Sequence, residues 1–184
     1  MSALLEDVAR GDRAAALAIA DSRPISVHEA AALGDVAALR RALDADPAGT
    51  AEFGPGGHTA LGLASAYGHD EAVAFLLSAG ADPSLGQLVP GGHYPLHAAL
   101  ANGHVEIASR LLAAGADANE PNSDDWTPLH FAAKRADARA VDVLISAGAR
   151  TGYPNREGHT ALDYAELALR PDLADRIART AIDR

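Results

Sequence analysis

Apolar positions along this chain do not form one long helical stripe or a strand-like alternation. They fall into short paired runs that return at a nearly fixed interval. Val36, Leu39 and Leu43 sit three and four residues apart, as one face of a helix requires, and Val73, Leu76 and Leu77 mark a similar face further on. Each such run is preceded by a second, alanine-rich one with a distinctive opening. In Trp126, Thr127, Pro128, Leu129, His130, the Thr127 hydroxyl can cap a helix, Pro128 suits its first turn where no backbone N–H is needed, and Leu129 begins the apolar face. The same slot is filled from Tyr94, from Thr59, from Thr160 and, more weakly, from Ile25 with His28 at its fourth position. Those openings lie 34, 35, 33 and 33 residues apart in chain order, the signature of a repeat architecture.

The residues after each opening repeat as well. A turn comes at Gly34, Gly68 or Gly103, then the second apolar run, then Gly80, Gly115 or Gly148, which suits the left-handed residue just past a helix end. Each unit reads as helix, turn, helix, long loop. The pattern divides residues 1–184 into one domain: a half-unit at 1–24, units at 25–57, 58–92, 93–125 and 126–158, and a shortened last unit at 159–184. In the half-unit, Gly11 and Asp12 stand 23 residues before Gly34 and Asp35, as they would if the long loop had been deleted. The two ends are expected to cap the stack with polar faces, the last one through Asp172, Asp175, Arg176, Arg179, Asp183 and Arg184.

The run at 127–132, with its copy at 94–99 and the Gly-Ala-Asp that comes two helices later, resembles the ankyrin repeat family. The resemblance covers about 25–170 and implies an all-α solenoid with β-hairpin-like loops. The tetratricopeptide repeat has a similar period but lacks this opening. The resemblance further implies a non-catalytic module that binds a protein partner on its concave surface, through hairpin tips and the inner-helix positions just before the turn. Matched to this chain, those slots are Arg156, Glu157, Ser123, Asp124, Pro55 and Pro90 on the loops, and Ala66, Tyr67, Ala101, Asn102, Lys134 and Arg135 on the helices. The histidines at the fourth opening position, His28, His97 and His130, are implied to be structural, as are His69 and His104 after the turn.

With 48% apolar but only 4% aromatic residues, the core must be built from Ala, Leu and Val, which suits thin, closely stacked helices. The absence of cysteine excludes disulfides, thiolate zinc sites and thiol nucleophiles, and is compatible with a cytoplasmic location. A net charge of −10 argues against nucleic acid and anionic membrane as partners, and no stretch approaches a membrane span.

Eight histidines invite a catalytic or metal reading. Four positions precede an opening by one residue: His58, His93, Trp126 and His159. Stacking should set them in a row along the concave side, about 10 Å from one to the next by the spacing of packed helices. That is too far for one metal, whose bonds to imidazole are about 2 Å. His93 and His97 have helical i, i+4 spacing, but His93 lies before the cap. The acidic loop at 117–125 fails as a calcium loop, because Pro121, Asn122 and Pro128 stand where an oxygen ligand, a glycine and a glutamate are needed. No metalloprotease, nucleotide-binding or serine-hydrolase motif occurs. The sequence therefore predicts no catalytic residue, metal or cofactor, and a partner surface at His58, Tyr67, His93, Asn102, Asp124, Trp126, Lys134, Arg135, Arg156 and His159. A groove around His58, Tyr67, His93 and Trp126 that binds or turns over a small molecule is the alternative. A monomer is expected, with dimerisation through the apolar 85–90 loop as the competing arrangement.

Overall fold

The computed structural model describes residues 2–54, 56–88 and 94–182. Among them are twelve helices in chain order: α1 (Ala3–Arg10), α2 (Arg13–Ser22), α3 (Val27–Leu33), α4 (Val36–Ala45), α5 (Ala60–Tyr67), α6 (Asp70–Ser78), α7 (Pro95–Ala101), α8 (Val105–Ala113), α9 (Pro128–Lys134), α10 (Ala138–Ser146), α11 (Ala161–Leu167) and α12 (Pro171–Ile182). A short 3-10 turn, Pro47–Thr50, follows α4. The protein is an all-α solenoid, as the pattern predicts. Odd-numbered helices α1, α3, α5, α7, α9 and α11 stack in one row, and α4, α6, α8, α10 and α12 in a second. The core between them is alanine and leucine, with Leu39, Leu61, Leu76, Leu96, Leu111, Leu129 and Leu144 fully buried. Helices of seven to twelve residues are too short to persist alone, so this shared core holds each unit against its neighbours.

Side-chain caps open the inner helices other than α7, where Tyr94 makes no such bond. Thr59 and Thr160 accept hydrogen bonds from the backbone N–H three residues on. At Thr127 the third helical residue reciprocates, since the Thr127 N–H donates to Nδ1 of His130 at 3.0 Å. The first unit departs from the predicted register by one residue. Ser26, not Ile25, is its cap, and Glu29, not His28, fills the slot of His130, closing a capping box with the Ser26 N–H at 2.9 Å. Glu29 is buried and also receives Arg23 at 2.6 Å and the Ser2 hydroxyl at 2.7 Å. Burial opposes its ionisation, but those hydrogen bonds and the Arg23 charge outweigh burial and hold the carboxyl at about 2.

Side chains also bolt each unit to the one before. Nε2 of His69 bonds the Ala32 carbonyl at 2.9 Å, that of His104 bonds Ala66 at 3.2 Å, Arg135 donates to Ala101 at 3.0 Å and Arg170 to Ala136 at 2.9 Å. The turn glycine lets them in: a Cβ on Gly68 would lie 2.6 Å from the His104 ring, and one on Gly103 the same distance from the Arg135 guanidinium. Both glycines take φ near 80, which L side chains avoid. Where the glycine is lost, Ala136 and Leu169 are still held left-handed, at φ 56 and 55. On the outer row Arg110 pairs with Asp70, Arg139 with Glu106 and Arg176 with Asp142, one rung per unit. All three rungs are exposed, so solvent screens them and they add little to stability.

The last unit carries Asp172, Asp175, Arg176 and Arg179 on its exposed surface, but Leu167 and Leu169 interrupt that polar skin. In the 85–90 loop the Leu88 N–H bonds the Gly57 carbonyl of the neighbouring hairpin at 3.0 Å, while its side chain points to solvent.

Candidate binding surface

The hairpins that precede α5, α9 and α11 share one construction. The N–H of Gly54, Asn122 or Asn155 bonds the carbonyl four residues on, that of His58, Trp126 or His159, at 2.8–2.9 Å. In the latter two a buried asparagine holds the tip from inside. Asn122 Oδ1 accepts from Asp124 and Trp126, and Asn155 Oδ1 accepts from Glu157 and His159. The carbonyls of Trp126 and His159 also receive Nε2 of His97 and His130, at 3.1 and 3.0 Å. The backbones of His58, Trp126 and His159 are thus fixed at their hairpins. His28 does not obey this rule; one residue out of register, it reaches the Glu52 carbonyl instead.

His130 is a structural residue of high demand. Its Nδ1 accepts from the N–H and hydroxyl of Thr127, so Nε2 carries the proton given to His159. Burial pushes its pKa down against the pull of the His159 and Tyr153 carbonyls and Asp163. A second proton would point an N–H at the Thr127 N–H.

Trp126 is half-buried in an aromatic group. Its ring centroid lies 4.8 Å from that of Tyr164, 5.1 Å from Phe131 and 5.8 Å from His130, and Lys134 Nζ stands 4.7 Å above its face. His159, exposed, meets Tyr164 at 5.7 Å. The structure therefore joins Trp126, Lys134 and His159 through Tyr164. It also joins Asp124 to Arg156: the Arg156 guanidinium reaches Asp124 Oδ1 at 3.3 Å and the Ser123 carbonyl, tying two hairpin tips together. Arg135 and Asn102 are exposed but bonded within the chain, Arg135 to Ala101 and Asn102 to Ala98.

His58 and Tyr67 stand apart from that cluster, at the two ends of the α5 unit. His58 is half-buried, and burial together with the nearby His28 pushes its pKa down. Tyr67 is raised by burial, and its ring neighbour is His69 at 6.5 Å. His93, Pro55 and Pro90 lie outside the described residues. The depression nearest Lys134 and Arg135, completed by Ala101 and Phe131, is open to solvent. A groove of about 670 Å³ lies remote from it, between α2 and α4. Among the described residues no three His, Asp or Glu side chains gather closely enough to hold a metal, and no helix is long and apolar enough to cross a membrane.

Phe131 and Tyr164, which complete the aromatic group, and Asn122 and Asn155, which hold the hairpins, are the residues that sequence reasoning missed. A signal was present, since both pairs recur at the 33-residue interval.

A family model described as ankyrin repeats in many copies matches residues 58–112 and again 96–145. No curated protein matches the chain.

Proposed function

This chain belongs to the ankyrin repeat family, whose repeats are generally protein–protein interaction modules, and from that premise we propose that it recognises a partner protein, without catalysis, across the concave face of α7, α9 and α11. The observation that carries the reading is the shelf of Trp126, Phe131 and Tyr164 with Lys134 laid over it. Trp, Tyr and Arg are the residue types that most often dominate interface energetics, at about 2 kcal/mol or more each. The shelf is ordered before any partner arrives, because Asn122 and His97 pin the Trp126 backbone and the Asn155 side-chain amide donates to the Tyr164 hydroxyl. Asp124 and Arg156 form a rigid rim beside it, and Arg135, Asn102 and His159 extend it. An open shelf suits a protein surface better than a small molecule, for which an enclosing cavity is the usual host.

Affinity capture from native lysate tests this, comparing the intact chain with a Trp126→Ala, Lys134→Ala variant whose folding is checked by circular dichroism. A protein held by the intact chain and released by the variant is the expected result; an identical captured set refutes recognition through the shelf.

A further inference from the structure

Two leucines on the last unit stand where the other units carry glycine, alanine or a charged residue. Leu169 occupies the turn slot of Gly34, Gly68 and Gly103, is held left-handed at φ 55, and is 86% exposed. A branched side chain is an outlier in that conformation, and an apolar one in water gains nothing from burial. Leu167 takes the slot of Lys134, which stays exposed even inside the stack, and is itself 71% exposed. Nothing in the chain's own packing accounts for leucine at either position. Backbone strain together with an exposed apolar pair points outward, to something that covers them.

The surroundings say what kind of surface would do so. Open clefts flank the pair, one reaching Arg170, Pro171 and Asp175, the other His159 and Asp163, with Glu166 between them. Arg170 is committed to Asp172 and to the Ala136 carbonyl. Glu166 and Asp175, both exposed, have no ion-pair partner among the described residues. The leucines are therefore rimmed by unneutralised carboxylates on a chain of net charge −10.

We propose that this patch docks an amphipathic basic segment of a partner protein, whose apolar side chains cover Leu167 and Leu169 and whose Arg or Lys groups meet Glu166 and Asp175. The proposal rests on the chain being a binding module, but on different residues from the Trp126 shelf. A second copy is a poor occupant, because it would bring Glu166 and Asp175 against their own images.

A fluorescein-labelled 14-residue peptide tests it, with leucines at helical i, i+3, i+7 spacing and arginines elsewhere, against the same peptide carrying glutamates for arginines. Anisotropy should show the basic peptide binding at least ~10-fold tighter than the acidic one, with affinity falling as salt rises. The Leu167→Ser, Leu169→Gly variant should bind it ~10-fold or more weakly, while Trp126→Ala stays within about 2-fold. Leu169→Gly alone should raise Tm by ~2–4 °C, since glycine relieves the left-handed backbone, so lost binding cannot be laid to unfolding. No binding of the basic peptide, equal binding by the leucine variant, or equal binding of the acidic peptide overturns the proposal. So does a wild-type dimer in light scattering that the leucine variant abolishes, which would assign the patch to self-association. Failure of the shelf reading is distinct: it appears as capture unchanged by the Trp126 variant.

Discussion

Glu29→Gln isolates the charge of the first unit from its geometry. Glutamine can still accept the Ser26 N–H and keep the capping box, so the variant removes the Arg23 ion pair together with the acceptor of the Ser2 hydroxyl. The Glu29 carboxyl is held at about 2 against a reference of 4.5. At about 1.4 kcal/mol per unit, that shift corresponds to roughly 3 kcal/mol; because the Arg23 side chain is 42% exposed, solvent screening reduces the figure to about 2 kcal/mol. A depressed folded-state pKa contributes stability that is fully present above the unfolded value and is lost as pH falls through the folded one. The gap between wild type and variant should therefore be full at pH 7 and shrink between 4.5 and 2, with about 1 kcal/mol gone by pH 3.5. Amide exchange of α1, α2 and α3 as a function of pH is the assay, since units touch only their neighbours and the loss shows first at that end. A gap that is the same at pH 7 and pH 3.5 would mean that Glu29 is not the anchor described.

Other substitutions probe the joints of the stack. Gly68→Ala meets both a left-handed φ of 80 and the His104 ring, whereas Gly80→Ala meets a left-handed φ of 90 and open space; in urea melts the second should lose about 1 kcal/mol and the first about 1 kcal/mol more, and equal losses would deny the close approach. His130→Ala takes the acceptor from the Thr127 N–H and one of two donors from the His159 carbonyl, so a loss of about 2 kcal/mol is expected in the same melts. Asn155→Ala should lose about 2 kcal/mol and raise amide exchange at Glu157 and His159, whose N–H groups it holds. Arg156→Ala removes only an exposed clamp and should change stability by less than about 1 kcal/mol.

Most of the fold is legible in the sequence because ankyrin units are built from local chemistry that recurs. The Thr-Pro opening of α9, the turn glycines and the glycine after α6, α8 and α10 mark their elements with no tertiary knowledge. The slip in the first unit shows the weakness of aligning by one residue type: matching His28 to His97 sets the opening at Ile25, although Ser26 with Glu29 three residues on is itself a cap signature. The site is legible in part. Trp126, Lys134 and His159 stand out by their slots, but Phe131 and Tyr164, which complete the shelf, look like ordinary core positions in a pattern of apolar residues. Which carbonyl Arg135 or Arg170 reaches, and that Arg156 closes on Asp124, depends on how far each unit rotates over the last. Spacing along the chain does not contain that rotation. Leu169 is hidden for another reason, since only the backbone reveals that it stands in a glycine's conformation.

The central claim, recognition through the concave shelf, is tested most directly by hydrogen–deuterium exchange of the purified chain with and without the protein it captures. Exchange should slow in residues 122–135 and 155–167, with α6, α8 and α10 unchanged. Protection confined to those outer helices, with the shelf left as it was, would contradict it.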